Sequence, residues 1–493
     1  MAVLSSDLIR QGAAGASTGY TIDNSYFNDA ISRTYMTADT GGSFAANKTF
    51  TLSFWIKKFN KDSYIGSTRN SFYGAFYGSN NRYDFFQFNA DQLEFSSRSG
   101  GASTSTGSSV IIFKTNRVFR DVAAWYHFVL AVDTTQDTSS DRVRLFVNGE
   151  REANFGTINY PSKDTLFYSF GDGVEMNVGS FQDNDYGSSY NYIYGDMYFA
   201  EFHGLDGYAY DASYFGEFDS NGIWIPKEYD GSYGTHGFYL EFKDASSLGS
   251  DTSGQGNDFT LRNIASDHQT SDTPTNNKIT FNSANNQRGG GTVYDGALKY
   301  YGPGTRTMIS LTGGPFPSTG KWAVAIKAAD ISTQVGWSYG LQKVWDQDMT
   351  DAAGSNEDIG AGSDGVNFTP QSSDGYVYDY AASSAIDPSL PLATADEFWL
   401  AVDIATGKYW FGIYDASASG YKWIAADAGL DGDPGAGSNQ TGTLSELVGN
   451  AGQYEFIFSS KQTSQILTLL RESELSGAVP TGFTYWENVR DLV

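Results

Sequence analysis

The chain has 493 residues, and its 57 Asp and Glu against 31 Lys and Arg give a formal net charge of −26 at pH 7. A surplus of negative charge repels phosphate backbones and anionic lipids, which argues against nucleic acid and membranes as partners. The chain has no cysteine, so a disulfide framework and a thiolate metal site are excluded. Aromatic residues make up 16% of the chain, a content that predicts packed cores rather than disorder.

Short runs of aromatic and β-branched residues, punctuated by Gly, Asn, Asp and Ser, predict β-strands along the whole chain. The clearest runs are Thr49–Lys57, Trp125–Asp133, Arg142–Val147, Asp196–His203, Lys321–Lys327 and Phe398–Ile404. In the first run, Phe50, Leu52, Phe54 and Ile56 alternate with other residues, the pattern of a strand with one face on a core. Asn148-Gly149 predicts a tight hairpin turn. Only Ala209–Phe218 and Gln465–Glu472 suggest short helices.

The composition divides the chain into four parts. Residues 1–19 form an N-terminal docking peptide, residues 20–245 a first β-sandwich, residues 246–292 a polar linker and residues 293–493 a second β-sandwich. The linker is assigned because Ser, Asp, Asn, Gln and Thr dominate there and three glycines follow. The predicted fold class is all-β, with two β-sandwiches in tandem and few short helices. The first residues lack the basic start and apolar stretch of a secretory signal peptide.

Several motifs in the first half carry a resemblance to a known family. They are AWYHFVLAVDTT at 124–135, RVRLFVNG at 142–149, GIWIPKEY at 222–229, GFYLEFKD at 237–244, DTSGQGNDF at 251–259 and DTPTNN at 272–277. Together they resemble the laminin-G-like, concanavalin A-type lectin domain of phage structural proteins, especially tail-fibre and other virion-surface proteins of marine phages. The resemblance covers about residues 20–282. It implies that the all-β fold consists of two concanavalin A-like jelly-roll β-sandwiches in tandem. In the second half, GKWAVAIK at 320–327 and DEFWLAVDIATGKYWFGI at 396–413 are similar to SPRY-type sandwiches.

The inventory of reactive side chains predicts no catalytic residue. The chain has four histidines, His127, His203, His236 and His268, and no G-x-S-x-G elbow. His127 lies inside an apolar strand, which favours a hydrogen-bonded sheet histidine over a catalytic one. Glycoside hydrolysis is the main enzymatic alternative, because it needs only two carboxylates across a cleft. No strand carries two acids at i and i+2 beside aromatic residues, so we expect a protein that is not an enzyme.

Two polar turns are candidate calcium sites. Asp251, Asn257 and Asp258 place hard oxygen ligands in one turn, and Asp431 and Asp433 do so in another. Neither follows the EF-hand spacing, and a polar turn on an acidic surface is the favoured explanation of both. We therefore expect no cofactor, with calcium as the one candidate ligand.

Tyrosines in a loop-like stretch are the candidate contact residues. Tyr186, Tyr190, Tyr192 and Tyr194 fall among Asn, Asp, Gly and Ser, a composition suited to sugar recognition by ring stacking and hydrogen bonding. The same residues would suit an interface with another protein, where tyrosine is also enriched. A similar cluster occurs at Phe72, Tyr73, Phe76 and Tyr77.

The resemblance implies a phage virion structural protein that is displayed at the particle surface as a tail fibre or spike and attaches to host glycan. A capsid decoration or head-fibre protein and a polysaccharide depolymerase are the alternatives. The expected partners are other virion proteins, a host-surface glycan and further copies of the chain, as a trimer. The expected location is the virion surface, after synthesis in the host bacterial cytoplasm.

Overall fold

The computed structural model describes residues 19–42, 45–59, 69–77, 82–98, 110–183, 191–287, 291–302, 304, 307–329, 337–343, 365–371, 374–379, 384–386, 397–415, 420–461 and 463–487. The chain divides into two compact units, with the boundary between Asn277 and Lys278. Both units are built from β-strands, which confirms the all-β fold class. No helix among these residues is long and apolar enough to cross a membrane.

The first unit contains 22 strands within its described residues. They are β1 Ser25–Asn28, β2 Tyr35–Asp39, β3 Ala45–Asn47, β4 Thr49–Lys58, β5 Arg69–Tyr77, β6 Arg82–Asn89, β7 Gln92–Arg98, β8 Val110–Val118, β9 Trp125–Asp133, β10 Val143–Val147, β11 Glu150–Arg151, β12 Phe155–Ile158, β13 Phe167–Asp172, β14 Glu175–Val178, β15 Ser180–Asp183, β16 Asn191–Tyr194, β17 Met197–Asp206, β18 Gly216–Phe218, β19 Trp224–Pro226, β20 Phe238–Leu240, β21 Thr260–Arg262 and β22 Gln269–Thr270. Two large antiparallel sheets result, which we call sheets 1 and 2. Sheet 1 has the order β11-β10-β9-β4-β17-β1-β22 with β20 beside β17, and sheet 2 has the order β12-β8-β7-β6-β5-β14-β2-β21.

The core of the first unit lies between sheets 1 and 2. From sheet 1, Phe50, Leu52, Phe54 and Ile56 are fully buried in one hydrophobic cluster, as the alternation of β4 predicts. Phe54 meets Phe72 and Phe86 of sheet 2 edge to face, with ring centroids 5.5 and 5.9 Å apart. The two sheets therefore form a sandwich closed by aromatic packing.

The second unit is a sandwich of the same kind. Its strands are β23 Phe281–Gln287, β24 Thr292–Tyr294, β25 Lys299–Tyr301, β26 Thr307–Leu311, β27 Lys321–Ala328, β28 Trp337–Lys343, β29 Val366–Gln371, β30 Asp374–Asp379, β31 Ser384–Ile386, β32 Glu397–Asp403, β33 Lys408–Asp415, β34 Gly420–Trp423, β35 Gly442–Thr443, β36 Tyr454–Ser460, β37 Leu467–Leu469 and β38 Thr484–Tyr485. One sheet has the order β23-β26-β36-β28-β29-β30-β31; the other has β24-β25-β37-β27-β32-β33-β34, with β35 beside β33 and β38 beside β27. Trp337 of the first packs on Phe398 of the second, with centroids 4.7 Å apart.

The six strand predictions are confirmed, and so is the hairpin at Asn148-Gly149, where both residues have positive φ. The helix predictions fare differently. Ala209–Phe218 contains one turn of 3-10 helix, Ala212–Tyr214, whereas Gln465–Glu472 is wrong because Leu467–Leu469 pairs with sheet strands. Pairing with β25 on one side and β27 on the other decides that short apolar run, which local propensity alone does not.

Residues 246–277, inside the predicted linker, belong to the first unit and supply β21 and β22 to its two sheets. The sequence-based boundaries at residues 245 and 293 stay predictions.

Candidate functional site

The outer face of sheet 1, which points away from the core, is also buried. Along β4 the residues that alternate with the core positions include Ser53, Trp55 and Lys57, and all three are at most 3% exposed. Chain segments after β17 cover this face. Thr51 Oγ1 donates to the carbonyl of Tyr208 at 2.7 Å and accepts from the backbone N–H of Tyr210 at 2.9 Å, which fastens the start of one covering segment to β4.

Trp224 lies over the middle of this face and is held by His127 of β9. The indole Nε1 donates to His127 Nδ1 at 3.0 Å, and the two rings are nearly parallel with centroids 5.9 Å apart. On its other side His127 stacks on Trp55, at 4.7 Å. Burial lowers the pKa of His127 to about 3, so the imidazole is neutral.

His127 and Ser53 contact each other but do not form a nucleophile pair. Ser53 Oγ lies 2.9 Å from His127 Nε2. Because Nδ1 accepts from Trp224, the ring proton of the neutral imidazole is on Nε2, which donates to the serine. A catalytic base needs the opposite arrangement, with an unprotonated Nε2 that takes the serine proton. His127 is therefore a hydrogen-bonded sheet histidine, as the sequence predicts.

Two glycines make room for Trp224. A Cβ atom at Gly149, in the β10–β11 turn, or at Gly216, in β18, would overlap the indole ring. Gly149 also has φ +82°, in the left-handed region that side chains disfavour. Trp224 is thus fitted into a slot, and its position is fixed by sterics and by one hydrogen bond.

A cleft of about 480 Å³ opens beside Trp224, and we call it the aromatic cleft. Its main lining residues are Phe146, Asp211, Glu217, Phe218, Trp224 and Lys227. Phe218 pairs with Trp224 across the β18–β19 hairpin, and their rings meet edge to face at 4.9 Å. Phe218 is 52% exposed, whereas Trp224 is nearly buried. The cleft therefore has a rigid aromatic floor, an exposed aromatic rim and three charged side chains, within the size range of small-molecule sites.

A stack of tyrosines stands next to the aromatic cleft. Tyr208 stacks on Tyr210 at 5.5 Å, and Tyr210 on Tyr214 at 4.1 Å. Tyr214 is 45% exposed. Asp211 and Ser213, which line the cleft, lie between these tyrosines in sequence, so the stack extends the aromatic surface beyond the cleft.

A buried carboxylate, Glu201, lies on the same face but is closed off. Its oxygens accept from the hydroxyls of Tyr20 and Tyr239 at 2.9 and 2.8 Å, and burial raises the pKa of both tyrosines well above the usual value. His203 stacks on Tyr239 at 4.2 Å, and its Nδ1 lies 2.9 Å from the Tyr233 hydroxyl. The space beside Glu201 and His203 is too small for a water molecule, so this cluster has no room for a substrate.

The predicted tyrosine contacts fall mostly outside the described residues. Tyr186 and Tyr190 lie outside them, and so does the side chain of Tyr192. Tyr194 is 7% exposed and packs against Tyr35, with centroids 6.0 Å apart. Their contact role stays a prediction. The similar cluster at Phe72, Tyr73, Phe76 and Tyr77 is a wrong prediction of a contact surface, because Phe72, Tyr73 and Phe76 are core residues.

At the first calcium candidate, the oxygens serve the turn itself. Asp251 Oδ1 accepts from the N–H of Tyr239 and Ser253, and its Oδ2 accepts from the N–H of Asn257. Asp258 Oδ1 accepts from the N–H of Asp251. These bonds explain the geometry of the turn without a metal, and calcium binding there stays a prediction.

The second calcium candidate has the same character. Asp433 Oδ1 accepts from the N–H of Ala436, and Asp431 Oδ2 accepts from the Asn439 amide. Among the residues that the structure describes, no group of three or more His, Cys, Asp or Glu side chains is placed to hold a metal ion.

One comparison with known proteins, with a family model, agrees with the fold of the first unit. Residues 31–183 match a family model described as the concanavalin A-like lectin/glucanases superfamily. Curated protein sequences give no significant match. The chain is similar to a native heptameric SAP-like pentraxin from Limulus polyphemus, at 11% identity over 39% of this chain and 80% of that one, with a TM-score of 0.26. It is also similar to domains LG4-5 of the mouse laminin alpha1 chain, at 9% identity over 95% of both, with a TM-score of 0.29. At these values neither structure bears on function.

Proposed function

We propose that this chain is a phage virion structural protein that is displayed at the particle surface, as a tail fibre or spike, and attaches to host glycan without cleaving it. A concanavalin A-like first unit suits a binding or adhesion role. The phage assignment rests on the resemblance of motifs such as GIWIPKEY and DTPTNN to virion-surface proteins. We also propose that the second unit is a SPRY-like sandwich, because its motifs are similar to those of SPRY-type sandwiches.

The aromatic cleft is the observation that carries the attachment role. Sugars present apolar ring faces that stack on aromatic side chains and hydroxyls that bond to carboxylates and ammonium groups. Phe218 offers an exposed ring, and Asp211, Glu217 and Lys227 supply the polar groups beside it. Because Trp224 is fixed from below, the floor of the cleft is preorganised and little ordering is needed on binding.

The described side chains favour binding over catalysis. His127 carries its proton on the wrong nitrogen for a general base, and Glu201 is sealed beneath tyrosines. The family description includes glucanases as well as lectins, so a polysaccharide depolymerase is the competing function. Incubating the chain with capsular polysaccharide distinguishes the two, because a depolymerase releases reducing ends and an attachment protein does not. Release that is abolished by Glu217→Gln would contradict the proposal.

The position on the particle is tested by imaging. Gold-labelled antibody against the chain should mark the tail of purified particles by electron microscopy. Labelling over the whole head would instead identify a capsid decoration or head-fibre protein, and absence from particles would overturn the virion assignment. We also propose a homotrimer, because phage fibres of the kind that the motifs resemble tend to be trimers closed by symmetry. Light scattering of the purified chain tests this, and any mass other than three chains contradicts it.

A further inference from the structure

A lysine, an aspartate and an asparagine meet on the outer face of sheet 1, at the end of β4 away from Thr49. Lys57 Nζ lies 2.8 Å from Asp272 Oδ2 and 2.9 Å from Asn277 Oδ1. Lys57 and Asp272 are fully buried, and Asn277 is 8% exposed. The aspartate and the asparagine are the first and last residues of the DTPTNN motif, so this motif places both beside one lysine.

Neighbouring groups hold the three side chains in fixed orientations. Trp125 Nε1 donates to Asp272 Oδ1 at 3.0 Å, which leaves Oδ2 directed at the lysine. The Asn277 amide nitrogen donates to the carbonyl of Ala123 at 2.8 Å, so its carbonyl oxygen faces Lys57. The ring of Tyr198 lies 5.7 Å from Lys57 Nζ. Among the described residues, these contacts bring one amine, one carboxylate and one carboxamide together beside the aromatic rings of Trp125 and Tyr198.

The contacts of Lys57 allow a chemical reaction. Its Nζ lies 2.8 Å from Asp272 Oδ2, close enough for a proton to pass from the ammonium to the carboxylate along the hydrogen bond. Lys57 is a neutral amine while Asp272 holds that proton. A neutral amine is a nucleophile, and a carboxamide held at contact distance is its substrate; fixed proximity of this kind replaces the need for an activated ester.

We propose that Lys57 and Asn277 join in an intramolecular amide bond, with Asp272 as the proton carrier. Asp272 takes one proton from the Lys57 ammonium, and the amine lone pair then forms a bond to Cγ of Asn277. Asp272 delivers its proton to Nδ2, the Cγ–Nδ2 bond breaks, and ammonia leaves. The surplus proton on the attacking nitrogen returns to Asp272. One primary amine and one carboxamide thus become one secondary amide and ammonia, and no oxidant or cofactor is consumed.

We assign Asn277, and not Asp272, as the residue that Lys57 attacks, because attack on Asp272 would leave no residue to carry the protons. Attack on Asp272 itself would require its carboxyl group to lose water, and the Asn277 amide cannot shuttle the protons. The bond would connect positions that are 220 residues apart in sequence. It would fasten the last segment of the first unit to β4 and close that unit on itself, which suits a protein exposed outside a cell.

The mass of the full chain, purified and denatured, tests the bond. We expect a mass about 17 Da below that of the sequence, because one ammonia is lost. Tryptic digestion should release a branched peptide that joins the segments containing Lys57 and Asn277. Lys57→Arg and Asp272→Asn should each restore the full mass. Lys58→Arg is the matched control: this neighbouring buried lysine pairs with Asp91 at 2.7 Å, and its replacement should leave the mass loss in place.

The unaltered chain decides the question even if a variant fails to fold. A full, unshifted mass overturns the proposal. A loss of about 18 Da joined through Asp272 overturns the assignment of Asn277. The proposal is also overturned by an ammonia loss confined to a linear peptide, as in a succinimide, or by a branched peptide that persists in Asp272→Asn.

Discussion

One face of sheet 1 is covered in two different ways. Over Ser53 and Trp55 the cover is aromatic: Trp224 stacks on His127 and leaves the aromatic cleft open beside it. Over Lys57 the cover is the 271–277 segment, whose Asp272 and Asn277 meet the lysine in a sealed pocket. Both covers lie on the same strand, β4, and on the same set of alternating residues.

The difference shows how a single strand face serves attachment and closure. A buried charged residue must be matched by partners from the segment that covers it, and Lys57 and Asp272 are fully buried under that segment. Stacked rings need no such match, and an aromatic cover can stop short and expose a rim. We therefore place the contact with glycan at the aromatic cleft, and the fastening of the unit at the sealed pocket around Lys57.

Removing the carboxylate from the sealed pocket around Lys57 should have the largest effect on stability. Asp272→Ala leaves the Lys57 nitrogen and Trp125 Nε1 without their carboxylate, and we expect a loss of about 3–5 kcal/mol in the free energy of unfolding. Urea unfolding measures it. The control is Lys48→Ala, which removes the exposed pair with Asp164 at 3.0 Å and should cost less than about 1 kcal/mol. Equal effects of the two variants would contradict the contrast between a sealed pair and a surface pair.

A substitution beside Trp224 should cost less stability than Asp272→Ala and should remove the aromatic cleft. In Gly216→Ala the new methyl group overlaps the Trp224 ring, and we expect a loss of about 1–3 kcal/mol from overpacking. A crystal structure of the variant should show Trp224 displaced from His127. Gly452→Ala is the control, since a Cβ there meets no atom within 4 Å. An unmoved Trp224 would show that the slot is wider than described.

Acid should weaken the cover at His127. The pKa of this histidine is about 3 in the folded chain against 6.5 for the free side chain, so only the unfolded chain binds a proton between these values. Its contribution to stability is complete above pH 6.5 and is lost as the pH falls towards 3. From about pH 6.5 to about pH 5 the wild type should lose about 2 kcal/mol relative to His127→Gln.

Asp84 provides a test of opposite sign in the same pH window. Burial raises its pKa to about 6 from 3.8, so the folded chain retains a proton that the unfolded chain releases, and stability falls as the pH rises through this range. In Asp84→Asn this opposing contribution is removed. The variant should lose stability on acidification more steeply than the wild type, measured by urea unfolding at several pH values. A shallower slope would contradict the assignment.

The smallest effect on stability belongs to the rim of the cleft. Phe218→Ala removes a ring that is 52% exposed, and we expect the free energy of unfolding to change by less than about 1 kcal/mol. Leu166→Ala, at 51% exposure, is the matched control. A large loss in Phe218→Ala would mean that this ring supports the fold rather than contacting a ligand.

The strands were predictable because alternation and hairpin turns are local signals. Phe50 to Ile56 mark the core face of β4, and Asn148-Gly149 marks the turn that later proves necessary for Trp224. The Leu467–Leu469 strand was not predictable, because its pairing partners β25 and β27 are distant in sequence.

The aromatic cleft was missed for a similar reason. Phe218 and Trp224 flank Asp219 to Gly222, a turn-rich segment between two aromatic positions, which is a hairpin signal present in the sequence. That the hairpin folds over His127 depends on contacts across the sheet. The sealed pocket likewise joins Lys57 to residues more than 200 positions away, and no spacing rule connects them.

Binding to an array of neutral and acidic oligosaccharides tests the central claim most directly, with the wild type, Phe218→Ala and Leu166→Ala compared at equal concentration. We predict that the wild type and Leu166→Ala bind the same glycans and release no reducing sugar, and that Phe218→Ala binds them at least about 5-fold more weakly, since a stacked ring supplies about 1 kcal/mol or more. Binding that is unchanged in Phe218→Ala, or absent in the wild type, would contradict a glycan-attachment site in the aromatic cleft.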